Sequence, residues 1–292
     1  MAGLNKEVWL SLIKEQFYPD FTFLNEALDL SAFVQNDVIN LAEAGVSPNV
    51  LKNNTTYPVP ASTRADVGIT LTLAYYDTES TIVRNAEQAE LSYDKMSSIL
   101  YGHKQALLQR QYNEAAHAYA PGTNGTHTPV VSTTGALSGG HRLLSYADIA
   151  RMAQRFDAMR LTQAGRVLVL DSTAMEQLRN EDRVLFNQMM NHADGGAPGA
   201  LYGFRVYSYE QLPLYNSAGS KKAFGDVFAA GDRFTRAIAF QREEVMKAVG
   251  SLDMFERLRD PDARGDIIGF QQRFLALPIR NKGIGSIITA TA

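Results

Sequence analysis

The first regular pattern in the chain is an alternation of apolar and polar residues over positions 67 to 76. Four apolar side chains of this stretch would share one face of a strand and two threonines the other: Val67, Ile69, Leu71 and Leu73 against Thr70 and Thr72. Upstream, prolines extend residues 59 to 64, and Ala65-Asp66 can turn the chain. The pattern therefore predicts a two-stranded hairpin. Such a narrow hairpin is marginal alone in water and needs another surface.

A helix of unusual length is predicted directly after this hairpin. Beyond Ile82 the apolar spacing changes from two to three and four, and no proline interrupts the chain until Pro121. The apolar stripe comprises Ala86, Ala89, Tyr93, Met96, Leu100 and Leu107. A helix over residues 84 to 120 would be about 50 Å long at 1.5 Å per residue. We expect the hairpin and the helix to lie on another copy of the same chain.

Residues 1 to 47 carry dispersed apolar side chains and are predicted to form an arm. A short amphipathic helix over residues 8 to 17 would end at Tyr18-Pro19, and apolar residues continue from Phe21 to Leu41. We expect the arm to bury these residues against another surface. The alternative is an ordinary N-terminal helical subdomain.

The region from 141 to 250 is predicted to be a mixed α/β domain. A loop rich in Gly, Thr, Ser and Pro precedes it at 121 to 140 and marks a boundary. The predicted helices cover residues 146 to 159, 171 to 179, 183 to 191 and 243 to 249, with Ser145 and Asp171 as N-caps. The predicted strands cover residues 166 to 170, 201 to 209, 224 to 230 and 236 to 240.

The C-terminal residues return to an elongated pattern. After a charged stretch at 254 to 262, residues 267 to 278 predict a long strand, and Asn281-Lys282-Gly283 turn the chain into a last strand at 284 to 290. We expect the long strand to return beside the long helix. Distant parts of the chain would then form a second, elongated domain.

Composition narrows the class of protein. The 292 residues are 45% hydrophobic, which is enough for a substantial core. The net charge of −3 disfavours a dedicated nucleic-acid binder, which needs a concentrated basic surface. The absence of cysteine excludes disulfides and thiolate chemistry. No signal peptide or bilayer-spanning stretch is found, so we expect a soluble chain made in the cytoplasm.

No catalytic, cofactor-binding or metal-binding residue is predicted, because each candidate has a simpler structural explanation. The five histidines, at 103, 117, 127, 141 and 192, form no pair at i and i+4. The glycine-rich residues 135 to 140 lack the phosphate-loop arrangement and are predicted to be a linker. Asp171-Ser172 lacks a nucleophile elbow, and helix capping explains both residues.

Acidic and sulfur-containing side chains lead to the same conclusion. The acidic residues near the start of the long helix are Asp77, Glu79, Glu87, Glu90 and Asp94. Carboxylates are favoured at that end of a helix by its macrodipole, and no cleft for a glycosidase-like pair is implied. The methionines at 152, 159, 189 and 190 are expected to fill the core.

The order of these parts resembles the major capsid protein of tailed bacteriophages with the HK97-like fold. Residues 77–95 (DTESTIVRNAEQAELSYDK) resemble the junction of the extended loop with the spine helix in that family. Three later segments resemble parts of its axial domain: 166–178 (RVLVLDSTAMEQL), 203–213 (GFRVYSYEQLP) and 237–248 (AIAFQREEVMKA). The resemblance covers nearly the whole chain.

The resemblance implies an α+β (mixed α/β) HK97-like fold and a structural, non-enzymatic function. The implied parts are an N-terminal arm at 1–47, an extended β-hairpin loop at 48–82, a peripheral domain with the spine helix at 83–140 and 251–278, and an axial domain at 141–250 and 279–292. The implied subunit assembles into hexamers and pentamers of an icosahedral shell around double-stranded DNA. Its implied partners are further copies, a portal, a separate scaffolding or decoration protein and, non-specifically, the genome, with no membrane. It would reside in the virion capsid and, during assembly, in the host cytoplasm.

The chain departs from some members of this family. Residues 57 to 82 contain no lysine, so a covalent crosslink is not expected, and Lys52 and Asn281 are the only candidates for one. Only about 47 residues precede the hairpin, so any scaffold would be a separate protein. An encapsulin-like compartment, a cytoplasmic α/β enzyme and a phage tail or baseplate protein are the competing interpretations.

Overall fold

The computed structural model describes residues 23–34, 37–43, 50–55, 57–59, 67–84, 95–191 and 199–291. The strands in these residues are β1 (Leu28–Asp29), β2 (Val38–Glu43), β3 (Val67–Thr72), β4 (Ala74–Asp77), β5 (Thr81–Arg84), β6 (Val130–Ser132), β7 (Leu137–Ser138), β8 (His141–Arg142), β9 (Arg166–Leu170), β10 (Gly199–Leu201), β11 (Phe204–Ser208), β12 (Thr235–Gln241), β13 (Val245–Asp260), β14 (Gly265–Pro278) and β15 (Ile284–Ile288). The α-helices are α1 (Lys95–Tyr119), α2 (Tyr146–Ala158), α3 (Ser172–Glu181) and α4 (Arg183–Asn191).

One sheet of six strands has the order β10-β11-β9-β12-β15-β6. Every residue of β9 is buried, and successive side chains point to opposite faces of the sheet. Leu168 and Leu170 pack in the cluster formed with helices α2, α3 and α4. Val167 and Val169 pack on the other face with the C-terminal end of α1. The sheet is therefore covered by helices on both faces.

A second sheet is built on the long hairpin of β13 and β14. Its order is β1-β13-β14-β4, and β5 also pairs with β14. The 16 residues of β13 span about 50 Å at roughly 3.3 Å per residue. One face of the hairpin packs on α1 through Met254, Ile268 and Phe270. The buried amide of Gln111 in α1 donates to Gln272 in β14 over 2.5 Å, which confirms that the long strand returns beside the long helix.

Strands β2 and β3 form a separate two-stranded sheet, which we call the ribbon. The strands pair antiparallel from Val38↔Thr72 to Glu43↔Val67. Strand β3 thus pairs with β2, from the region assigned to the arm, whereas the predicted partner was the segment 59 to 64. Residues 57–59 form no strand, and residues 60–66 lie outside the described residues.

The strand predicted over residues 67 to 76 is divided at Leu73. The Leu73 side chain is buried, and its N–H donates to the carbonyl oxygen of Asp37. The chain then leaves the ribbon as β4 and pairs with β14. The buried Leu73 thus lies where pairing with β2 ends and pairing with β14 begins. The alternation of apolar and polar residues alone does not predict this change of partner.

The long helix is confirmed over its described residues, but Arg84, the residue predicted to begin it, lies in a strand. Arg84 lies in β5 opposite Gly265, and residues 85–94 lie outside the described residues. The described helix has 25 residues, or about 37 Å, against the predicted 50 Å. Leu100 and Leu107 are buried as expected. The predicted stripe residues Ala86, Ala89 and Tyr93 lie outside the described residues, as does the side chain of Met96.

Three predictions in the α/β region are wrong for local reasons. Residues 201 to 209 form not one strand but part of the β10–β11 hairpin, which turns at Tyr202-Gly203 with φ of 47° and 81°. Residues 224 to 230 form no strand and belong to a hydrogen-bonded loop. The predicted helix at 243 to 249 is a short 3-10 turn, Arg242–Glu244, followed by β13.

The other elements of this region match the sequence pattern. Ser145 and Asp148 form a capping box at the start of α2, and the Asp171 carboxylate accepts the Ala174 N–H at the start of α3. Strands β9, β12 and β15 lie where they were predicted. The predicted helix at 8 to 17 lies outside the described residues.

Candidate assembly surfaces

The histidines and acidic residues considered as candidate chemistry lie apart from one another. His103 faces Phe270, His117 contacts the Lys222 carbonyl oxygen over 2.9 Å, and His141 packs on Phe234. His192 and the acidic residues 87, 90 and 94 lie outside the described residues. Among the described residues, no group of His, Asp and Glu side chains converges as a metal site would require.

The remaining candidates have structural roles. Asp171 caps α3 and pairs with Arg236 over 2.6 Å, and the Ser172 hydroxyl donates to Glu210 over 2.9 Å. Gly139 and Gly140 turn the β7–β8 hairpin with positive φ. Of the four methionines, the side chains at 152, 159 and 189 are buried and Met190 is partly exposed. No described helix has the length and apolar character that a bilayer-spanning helix requires.

Exposed apolar side chains are concentrated in the connection between β2 and β3, in a stretch that we call the distal segment (residues 50–55 and 57–59). Four apolar side chains of this segment are more than half exposed: Val50 (96%), Leu51 (54%), Tyr57 (75%) and Val59 (51%). Its one charged residue is Lys52. The described residues of the chain therefore do not cover these apolar side chains.

The base of the ribbon is fixed to the second sheet at one crowded point. Leu73 packs among Leu30, Ile39 and Met246. An ion pair joins Asp37 of the ribbon base to Arg273 of β14. Gly250, at a register shift of β13, lets the two layers approach, since a Cβ there would lie 2.9 Å from Arg273 Cβ and 3.0 Å from Leu73 Cδ2. This junction sets the direction in which the ribbon projects.

A groove of about 750 Å³ runs between α1 and the β4–β5 segment, and we call it the helix groove. Its floor includes Ile99, Ala106 and Leu107 of α1, and its strand side includes Asp77 and Glu79. Both carboxylates are exposed, and Asp77 also accepts a hydrogen bond from Gln271 over 2.6 Å. The groove therefore combines an apolar floor with an acidic rim.

His103 lines the helix groove and leaves one ring atom unsatisfied. Its side chain is buried, and its Nε2 has no hydrogen-bond partner. Burial lowers the pKa of His103, so the ring is neutral at pH 7.

The solvent face of α1 carries few charges. Its exposed residues over three turns are Tyr101, Gly102, Gln105, Ala106, Gln109 and Arg110. Arg110 is already engaged, because it pairs with Glu114 over 2.7 Å and stacks on Phe224. A helix face bordering only water usually carries more charged side chains, so this face is suited to contact with protein.

Two further apolar areas are exposed on extended parts of the molecule. The face of the second sheet opposite α1 presents Phe255 and Ile82, since the pairs Phe255↔Gly269 and Ile267↔Ile82 lie on that side. In the loop before β12, Val227 is exposed, and Phe228 stacks on Phe234 with ring centroids 4.6 Å apart. Together with the distal segment, these areas place apolar surface on several sides of one chain.

The C-terminal end of α1 is anchored to the loop at 213–234. Lys221 Nζ donates to the carbonyl oxygens of His117 and Ala120 over 2.8 and 2.6 Å, where the helix leaves its last carbonyls without partners. Burial lowers the pKa of Lys221 to about 8. Asn281, a candidate for crosslinking, lines the adjacent cavity, whereas Lys52 lies in the distal segment.

The start of the described chain is held to the first sheet by one carboxylate. Glu26 accepts hydrogen bonds from Arg205 and Tyr207 over 2.8 and 2.7 Å. Burial alone would raise the pKa of Glu26, but these two hydrogen bonds, together with the positive charges of Arg205 and Arg242, lower the pKa. Phe23 packs nearby on Tyr209, so this end of the arm is fixed before the ribbon begins.

Comparison with known proteins identifies the fold. No protein-family model matches the chain, and no curated protein matches its sequence. Solved structures do match over most of its length. A chain in the capsid structure of the cyanophage P-SCSP1u is 16% identical, with 93% of this chain and 89% of that chain covered and a TM-score of 0.65.

Two other structures give the same result. A chain in the capsid of Ralstonia phage GP4 is 12% identical, with 91% and 87% covered and a TM-score of 0.66. A chain of Mycobacterium phage Che8 is 14% identical, with 92% and 91% covered and a TM-score of 0.64. The chain therefore has the HK97-like fold of phage capsid proteins.

Proposed function

We propose that the chain is a major capsid protein, the structural subunit of an icosahedral shell that encloses phage double-stranded DNA. The observation that carries this proposal is the likeness to capsid structures over about nine-tenths of both chains. Low sequence identity does not weaken it, because a shell subunit must keep its shape and its contacts rather than a set of catalytic residues.

Physical features of the single chain support self-assembly. Its long hairpin and its distal segment carry apolar side chains that the described chain leaves exposed. Contacts through several such parts link each copy to more than one neighbour, so that modest individual affinities combine by avidity. Contacts between different surfaces are head-to-tail, which generates the hexameric and pentameric rings of a closed shell.

We assign the parts of this subunit as the sequence suggests. Residues 1–47 form the N-terminal arm and 48–82 the extended loop. Residues 83–140 and 251–278 form the peripheral domain with the spine helix, and 141–250 and 279–292 form the axial domain. The second sheet with α1 supports the peripheral assignment, and the six-stranded sheet with its helices supports the axial one.

Further partners follow from the same proposal. We expect a portal and a separate scaffolding or decoration protein as partners of such a shell. The genome contacts the inner wall without sequence specificity. A net charge of −3 suits a wall that must not trap its DNA. The assembled protein belongs to the virion, and its subunits assemble in the host cytoplasm without a membrane.

The experiment that tests this function shortens the ribbon loop. A deletion of residues 58–80 would also remove β4, which pairs with β14, so the sharper variant replaces residues 44–66 by a short Gly-Ser turn that joins β2 to β3. We expect the parent to elute in gel filtration as capsomers or shells. The variant should keep its circular dichroism spectrum and elute as a monomer. Shells of normal size from the variant would contradict the role assigned to the loop.

A further inference from the structure

We propose that the outer edge of β13 pairs with the same edge of a second copy, antiparallel and centred on Phe255, so that two copies of the second sheet join into one. This inference rests on the proposed function, which brings many copies together, and it specifies one contact between them by its residues. Contacts that build a ring are head-to-tail, whereas this contact uses the same surface of both copies and has two-fold symmetry.

The outer edge of β13 is open over most of its length. One side of the strand pairs with β14 from Val245 to Asp260. On the other side, the described pairing is with β1 at Met246 and Lys247. The Val249 N–H then donates to Ser31 Oγ over 2.9 Å. Beyond that point no strand of the described residues pairs with this side, so its backbone N–H and C=O groups are available to a strand of another molecule.

This open edge lacks features that commonly prevent strands from pairing. Its ladder with β14 is regular from Leu252 to Arg257, between two register shifts. Residues 251–259 include no proline and no lysine, two residue types that often protect an exposed edge. Phe255 lies in the middle of the regular part, on the face opposite α1, and is 58% exposed. A second copy paired along this edge would cover its ring.

The sequence of the edge is complementary to itself. A two-fold axis perpendicular to the sheet pairs the two strands antiparallel and keeps the same face of both copies on the same side. With Phe255 on that axis, the two phenylalanine rings are cross-strand neighbours. Asp253 of each copy then lies opposite Arg257 of the other copy. Two ion pairs therefore flank one aromatic pair on the face away from α1.

Both charged side chains are exposed and can take a second partner. Asp253 accepts a hydrogen bond from the Ser251 hydroxyl over 3.2 Å, and one nitrogen of Arg257 donates to Asp260 over 2.8 Å. A carboxylate has two acceptor oxygens, and a guanidinium has five N–H donors. Each group can therefore join the ion pair between copies and keep its contact within the chain.

Neighbouring registers of the same strand lose this match. An axis centred on Asp253, Glu256 or Arg257 places that residue opposite its own copy, and like charges directly opposite one another are destabilising. An axis centred on Met254 places Asp253 opposite Phe255, which carries no charge. The register centred on Phe255 is thus the one that pairs residues 253–257 with opposite charges facing. The paired stretch is short, so its affinity contributes through the many copies of an assembly.

A single cysteine on the axis tests the pairing, because the chain contains no native cysteine. Residues directly opposite in an antiparallel pair have Cα atoms about 4.5–5.5 Å apart, which suits a disulfide. The test variant is Phe255→Cys, and the matched control is Ser251→Cys, an exposed position on the same strand. In the proposed register the two copies of residue 251 lie about 26 Å apart at 3.3 Å per residue, too far for a disulfide.

The variants are oxidised mildly at high protein concentration and compared on a non-reducing gel. We expect at least fivefold more covalent dimer from Phe255→Cys than from Ser251→Cys. No excess over the control would overturn the inference, and normal particles in the same sample would leave the proposed function intact. An excess of dimer, with no particles or rings formed by the parent chain, would instead contradict the proposed function and support the pairing.

Charge reversal in the Phe255→Cys variant tests the register. Adding Asp253→Lys places a lysine opposite Arg257 of the other copy and should reduce the dimer fraction at least threefold. The matched control adds Glu243→Lys, which reverses an exposed carboxylate just before β13 and should leave the dimer fraction unchanged. An equal dimer fraction with Asp253→Lys and with Glu243→Lys would overturn the register centred on Phe255.

Discussion

Gly250 is the position at which one added methyl group should most directly disturb the base of the ribbon. The Cβ of Gly250→Ala would lie 2.9 Å from Arg273 Cβ and 3.0 Å from Leu73 Cδ2, whereas carbon atoms in contact are about 3.5–4.0 Å apart. The Arg273 Cβ cannot move freely, because Arg273 pairs with Tyr75 of β4 and its neighbours in β14 pair with β13. Overpacking of this kind costs about 1–3 kcal/mol.

The alanine also lowers the conformational entropy of the unfolded chain, which stabilises the folded state by about 0.4–1 kcal/mol. We therefore expect the free energy of unfolding of Gly250→Ala to fall by about 1–2 kcal/mol in urea denaturation of the unassembled chain. Amide hydrogen exchange in β2 and β3 should accelerate more than in β9. Gly68→Ala is the matched control, since no heavy atom lies within 4 Å of its added Cβ. If both variants are as stable as the parent, the crowded junction does not hold the ribbon.

Three further predictions concern stability and its dependence on pH. The Tyr119 hydroxyl is buried and donates to the Met246 carbonyl oxygen over 3.0 Å, so Tyr119→Phe should lower the urea unfolding free energy by about 1–2 kcal/mol. Glu26 has a lowered pKa in the folded chain, so its contribution to the free energy of unfolding is present at neutral pH and is lost as the pH falls through that pKa. Glu26→Gln should therefore flatten the decline in stability below pH 4.5. An unchanged decline would contradict this. Lys221 has a pKa of about 8 in the folded chain, against an ordinary value of 10.5. Between these two pH values the unfolded chain binds more protons than the folded chain, so the free energy of unfolding rises with pH. Lys221→Met should remove that rise in thermal melts, and persistence of the full rise would assign it to other groups.

The buried α/β region is well predicted from sequence because local and tertiary signals agree there. The continuous apolar run of β9 is buried on both faces, and the caps of α2 and α3 form the hydrogen bonds that their residue types favour. The return of β14 beside α1 was also predicted, since a long strand with one apolar face needs a long apolar partner. In each case the sequence period and the final environment select the same structure.

Pairing between distant strands could not be predicted in the same way. The pattern of β3 is compatible with any adjacent strand, and its partner β2 lies about 30 residues upstream in sequence. The predicted helix at 243 to 249 failed because Val245, Met246 and Ala248 are buried in a sheet, which overrides helix propensity.

The helix groove was not predicted either. Asp77 and Glu79 were attributed to the macrodipole of the long helix, but Asp77 ends β4 and Glu79 lies between β4 and β5. His103 was treated as an isolated residue, and only the structure shows its unsatisfied Nε2 beside the groove. The sequence signal for this groove is that residues 105 to 109 carry no charged side chain, although they belong to a helix that was expected to face solvent.

Electron microscopy of the purified full-length chain, in negative stain and at high protein concentration, tests the central claim most directly. The account predicts closed icosahedral particles, or rings of six and five copies, because the distal segment and the long hairpin leave apolar surface that further copies cover. A chain that remains monomeric at every concentration, including in the presence of a crowding agent, would contradict the assignment of a shell subunit.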